Sequence, residues 1–171
     1  MYARFRPYHL IGAIGGFLTA LTAIISLAVS TSYYISAEWV IIVNMLLIGS
    51  NGLIATYFFG AFSASRDSLI KVGSLIAGIG LGFNVLISIL QMAGVYVFVL
   101  ALLGALVMMA GVVIACIKFI MLFQRDAFVV VFCVFIFLGL LLSLFWTWAS
   151  LISGAGLGGL LIYFYVHNIT Y

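Results

Sequence analysis

Residues Ser63 to Lys71, SASRDSLIK, are the clearest interruption in an otherwise nearly continuous run of apolar residues. On each side lies a hydrophobic segment long enough to cross a bilayer, for which about 20 helical residues suffice. Arg66, Asp67 and Lys71 gather in the gap, and charge within hydrocarbon is costly, so a boundary between lipid and water falls there. The chain must therefore enter the membrane more than once.

Composition supports that reading: 68% of the 171 residues are hydrophobic and 5% are charged. A water-soluble domain so composed would expose large apolar patches. No polar block, low-complexity tract or linker interrupts it, so residues 1–171 read as a single transmembrane domain. Six Lys and Arg against three Asp and Glu give a formal charge of +3, but the cations are scattered at segment ends. Nucleic acid is not an expected partner, since it demands a basic surface.

The apolar segments predict an all-α integral membrane bundle with short loops and spans at about 9–29, 37–62, 69–90, 95–119, 127–148 and 149–167. Pro7 suits the first turn of the first helix, where its missing N–H has no partner to lose. The apolar run from His9 extends about 20 residues, longer than the core of a secretory leader, and reads as a span. Tyr33, Tyr34, Trp39, Trp146 and Trp148 suit one interface. Arg4, Arg6, Arg66, Lys71, Lys118 and Arg125 all fall at the other, which makes the amino terminus cytoplasmic. The plasma membrane is the expected location. Five spans are the alternative, with the glycine-rich Ser153 to Gly159 unwound and the Asn168-Ile169-Thr170 sequon on the outside.

Arg6, Arg66 and Arg125 are spaced by 60 and 59 residues, as in a stack of two-helix hairpins. The constant length of a membrane hairpin also accounts for this spacing.

Small residues recur every four positions, at Gly12 and Gly16, at Ser74, Gly78 and Gly82, and at Gly154 and Gly158. Such stripes let helix backbones approach closely in lipid and read as packing faces. Asn44 and Asn51 lie seven residues apart on one face of the second span, and Asn84 lies at about the depth of Asn44. Interhelical hydrogen bonds, with Thr19, Thr22 or Ser50 available to Asn51, are one reading of this polar line. A path for a solute or ion is the other. Every acidic residue, Glu38, Asp67 and Asp126, sits at a boundary, so coupling through a buried carboxylate is not expected.

His9 and His167 are the candidates for axial haem ligation, but each falls at a helix end where water or headgroups satisfy it, and no cofactor is expected. Cys116 and Cys133 form no metal or disulfide motif and read as small buried hydrophobes. The phenylalanines from Phe132 to Phe145 suit acyl chains. With no nucleophile–base pattern present, the chain is not expected to be an enzyme. The expected role is a non-catalytic structural or accessory subunit of a larger membrane complex, respiratory or secretory, with lipid and other membrane subunits or copies of itself as partners. The alternative is a small homo-oligomeric channel or facilitator for a solute or ion.

Overall fold

The computed structural model describes residues 6–31, 37–95, 97–143 and 145–169. Arg4, Tyr33, Tyr34 and Thr170 lie outside the described residues. Six helices are present: α1 Arg6–Ser30, α2 Ala37–Ala64, α3 Ser68–Met92, α4 Phe98–Leu122, α5 Ala127–Ser143 and α6 Ser150–Val166, with a 3-10 turn at Thr147–Ala149 leading into α6. The protein is all-helical, and α1 to α4, each with at least 25 residues, are long and apolar enough to cross a membrane. Helices α5 and α6 have 17 residues each, about 25 Å at the usual rise.

Each helix packs on its neighbours in sequence, and α6 packs back on α1, so the six close into a ring in chain order. Small residues make the seams. At the closure, Gly16 of α1 lies against the backbone of Gly154 and Gly158 on α6. Between α3 and α4, Gly73 meets the backbone of Gly111 and Ala115, while Gly80 meets Met108. Gly139 of α5 lies on Ser153 of α6. Ser153 to Gly159, which composition leaves open to unwinding, is continuous helix. Its glycines are held against α1 and α5, and the close contact outweighs their conformational freedom. Many large apolar side chains, among them Phe17, Leu21, Met45, Phe83, Leu103 and Phe135, are exposed on the outside.

Charge marks one end of the ring. Asp67 caps α3 by accepting from the amides of Leu69 and Ile70 at 2.9 and 3.2 Å, and its second carboxylate oxygen lies 2.9 Å from Lys118 Nζ near the end of α4. Asp126 does the same for α5, accepting from Phe128 at 3.1 Å. Both acids satisfy amides that a helix start leaves orphaned. Arg6 completes this end, its guanidinium 4.6 Å from the centroid of the Tyr165 ring. Lys118 hydrogen-bonds Asp67 and holds its carboxyl below the usual carboxylate range, helped by the two cap amides and opposed by some desolvation.

At the opposite end α3 stops in a glycine cap. Gly94, at φ +80°, lets its own amide reach the Gln91 carbonyl while Val95 reaches Leu90. Helix α5 is described as far as Ser143, and the expected end at 148 falls instead in a tighter turn, where the amides of Phe145 and Ala149 each reach the carbonyl three residues back, Leu142 and Trp146. Trp146 and Trp148 then stack at 6.3 Å on the outside of this turn.

Candidate functional site

A ring of six helices leaves an interior, and here it divides into two halves. In the half remote from the charged loops there is a cavity of about 610 Å³, within the size range of small-molecule sites. Helix α1 supplies Thr19, Thr22, Ser26 and Ser30 to its wall, a polar stripe at helical spacing. Asn51 comes from α2, and Asn84, Ser88 and Gln91 from α3. Ser143, Ser150 and Ser153 come from α5 and α6, while α4 contributes only Met108 and Val112. Among the described residues that line this cavity none carries a formal charge. Its deeper wall is apolar, made by Ile54, Leu81, Val112, Ile136 and Leu157.

The hydroxyls of this wall bond back to their own helices. Thr19 donates to the Gly15 carbonyl at 3.0 Å, Thr22 to Leu18 at 2.7 Å and Ser88 to Asn84 at 2.9 Å. Ser143 and Ser153 donate to Leu140 and Ser150 at 2.7 and 3.2 Å. Such back-bonding is the usual way a mid-helix hydroxyl is satisfied where no water competes.

Towards the charged end the interior is filled. Tyr57 and Phe58 of α2, Phe119 of α4 and Phe164 of α6 are all buried, and His9 of α1 is buried among them. The His9 ring lies 5.8 Å from Tyr57 and 5.6 Å from Phe164, and Phe164 lies 5.3 Å from Phe119, edge on. His9 Nε2 donates to the Ile169 carbonyl at 3.0 Å. The cap of α6 aims that carbonyl: Asn168 takes the left-handed conformation at φ 50°, and Ile169 N returns to the Phe164 carbonyl at 3.0 Å. The plug is therefore tied across the α1–α6 closure.

Of the expected polar line, Asn51 and Asn84 share the cavity wall. Asn44 does not join them. It is buried and donates to the Val40 carbonyl of its own helix at 2.9 Å, so the interhelical pairing with Asn84 is not made. Asn84 instead approaches Met108 on α4 with its Nδ2 3.6 Å from the sulfur. Ser50 turns to Leu47 at 3.1 Å rather than to Asn51.

The packing stripes fare differently. Gly12 lies against Tyr57 and Leu161, Gly16, Gly154 and Gly158 form the closure, Gly78 lies against Phe59 and Ser74 is buried. Gly82 faces open space, with no atom within 4 Å of where a Cβ would stand, so it takes no part in these seams. The histidines are held apart by different surroundings: His9 sits in the plug, whereas His167 is exposed, with Nδ1 3.0 Å from the Tyr163 carbonyl. No group of three or more His, Cys, Asp or Glu that could hold a metal occurs among the described residues.

Two features escape the sequence reading. The serine and threonine stripe of α1 was visible at spacings of three and four from Thr19 to Ser30, but it reads as polar decoration until the ring closes around it. Cys116 and Cys133, both buried, lie close together across the α4–α5 interface. Their equal distance from the Gln124–Arg125 turn was the available signal.

The ring, with a partly polar cavity in one half of its interior and an apolar exterior, defines an all-helical protein built around helices long enough to cross a membrane. Comparison with family models, with curated proteins and with solved structures finds no match.

Proposed function

We propose that the chain is a six-span facilitator of the cell membrane, with a cytoplasmic amino terminus, that admits a small solute into its ring from the external face. The observation that carries this reading is the position of the polar cavity, enclosed by all six helices of one chain. In lipid, where apolar helices gain nothing by hiding apolar surface from water, polar groups belong on the inside and large apolar groups on the outside. Helices α5 and α6 are short, but they complete the wall and carry the same inner polar and outer apolar faces, which supports counting both as spans. The loops at the plug end carry Arg66 and Arg125, and the positive-inside rule puts that end in the cytoplasm. The cavity then opens outward and the plug of His9, Tyr57, Phe119 and Phe164 closes the inner side.

In this reading the path runs within one chain rather than between copies. The accessory-subunit reading draws less support, because the small-residue faces that suggested docking of partners are largely occupied by contacts within the ring. Reconstitution of the purified chain alone into liposomes, with solute entry followed by osmotic swelling, tests the proposal. Entry above that of protein-free liposomes, reduced in Asn51→Leu, is the expected result. A chain that conducts nothing alone but purifies with other polypeptides at fixed stoichiometry returns the protein to the role of a subunit in a larger complex.

A further inference from the structure

The facilitator reading leaves open what enters, and the hydrogen bonds of the cavity wall narrow the choice. A hydroxyl has one proton to donate and two lone pairs to accept with. Thr19, Thr22, Ser88, Ser143 and Ser153 have each given that proton to a carbonyl of their own helix. What they turn to the cavity is therefore lone pairs. The amides of Asn51, Asn84 and Gln91 add a carbonyl oxygen and an NH₂ group each, so they offer further acceptors beside their own protons. A ligand poor in donors leaves the hydroxyl lone pairs unused.

Charge is disfavoured for a separate reason. An ion leaving water needs an opposite charge or a full shell of dipoles, or the desolvation cost stands against it. The lining residues include no charged side chain, and the deeper wall of Ile54, Leu81, Val112, Ile136 and Leu157 offers no side-chain oxygen. An uncharged molecule crosses such a layer at a much lower cost.

Resting on the facilitator reading, we infer that the cavity selects a small uncharged solute bearing several O–H or N–H donors, of the polyol or primary-amide class, with Asn51 and Thr19, both half-buried on the wall, as specificity-determining residues. Its volume of about 610 Å³ leaves room for such a molecule with part of its hydration.

The test uses the full chain in liposomes and four solutes: glycerol and acetamide as donors, glycine betaine, which has neither O–H nor N–H, and potassium ion. Glycerol and acetamide enter faster than through protein-free liposomes, while betaine and potassium do not. Thr19→Val keeps the shape and removes the lone pairs, and slows glycerol by up to about tenfold, the worth of one hydrogen bond; Thr19→Ser restores entry. Should Thr19→Val fail to fold, Ser143→Ala, half-buried on the same wall, asks the same question on α5. Betaine or potassium entering as fast as glycerol overturns the inference and leaves the facilitator reading standing. Hydroxyl-deleted variants that fold and conduct glycerol unchanged overturn it as well. Entry of none of the four solutes overturns the facilitator reading and this inference together.

Discussion

Tyr163 donates its phenolic proton to Asp126 Oδ2 across 2.6 Å, while Oδ1 of the same carboxylate caps the first turn of α5. One side chain thus starts a helix and ties it to the end of α6. Asp67 repeats the arrangement with Lys118, capping α3 with one oxygen and holding α4 with the other. Each of these hairpins is clamped at its open end, opposite its connecting turn. Tyr163→Phe removes the tie and keeps the cap, whereas Asp126→Ala removes both. The expected order of melting temperatures in mild detergent is wild type, then Tyr163→Phe lower by a few degrees, then Asp126→Ala lowest. Equal melting of the two variants would assign the whole effect to the tie.

The Asp67 clamp sets a dependence on pH. Its carboxyl is held below the ordinary value of 3.8, chiefly by the hydrogen bond from Lys118. A carboxyl lowered in the folded state adds stability at pH above its unfolded value and loses it as pH falls through the folded value. The difference in melting temperature between wild type and Asp67→Asn is therefore constant from neutral pH down to about pH 5, and shrinks below the ordinary carboxylate value. Lys118→Gln narrows the same difference at neutral pH. Parallel melting curves over the acid range would show that the ion pair contributes nothing to folding.

The glycine seams predict a sharp division among Gly→Ala changes. At Gly16 a Cβ would stand 2.6 Å from Gly158 N and 2.9 Å from Gly154 O, and at Gly111 it would meet the backbone of Ala77 and Gly73. Backbone cannot step aside as a side-chain tip does, so each change costs about 1–3 kcal/mol or more through overpacking. Gly82 faces open space, and Gly82→Ala stays within about 0.5 kcal/mol of wild type. Thermal or denaturant unfolding in detergent measures all three.

That division marks what the sequence could and could not convey. Apolar runs broken at Arg66 and Arg125 reveal helices that lie in pairs but leave five or six of them open, because hydrocarbon penalises charge wherever the chain lies within it and the uncharged turns carry no such mark. A stripe such as Gly12, Gly16 and Ala20 reveals a contact face, because only small residues admit close backbones. It cannot name the partner, and Gly82, on a stripe of the same spacing, meets nothing. Closure of α6 onto α1 is a relation between residues more than 130 positions apart, Gly16 and Gly154 among them, and no local pattern encodes it. The polar cavity follows from that closure, so Thr22 and Ser153 acquire a common role only once the ring exists. Asn44 and Asn51 share a helical face in sequence, yet one is buried on its own backbone and the other lines the cavity.

Cys116 and Cys133 offer a probe of the α4–α5 interface, since both thiols are buried and meet there. In the folded protein neither reacts with a membrane-impermeant maleimide, and both react after denaturation. Wild type is therefore a usable blank for accessibility mapping. Asn51→Cys, half-buried on the cavity wall, reacts with the same reagent applied from the face opposite the charged loops, whereas Leu160→Cys, fully buried towards the plug, does not. Labelling of Leu160→Cys from that face would show that the cavity runs deeper than its apolar wall.

Phe164 is the centre of the plug, in ring contact with His9, Phe119 and Phe123. Truncation to alanine removes all three contacts and opens space between the cavity and the charged end. Two effects follow, and they have opposite consequences for what is measured. The chain loses about 3–5 kcal/mol of stability, as large-to-small changes in a packed interior do. Solute entry per folded protein rises, because the closed side of the path has lost its main obstruction. His9→Gln is the milder companion: it removes the imidazole that meets the Tyr57 and Phe164 rings while keeping an amide to donate to the Ile169 carbonyl, so it preserves the tie to the α6 cap and loosens only the ring contacts. Its entry rate is expected between wild type and Phe164→Ala. Entry unchanged in Phe164→Ala, in protein shown to be folded, would mean that the aromatic cluster is packing and that any barrier to solute lies elsewhere along the ring.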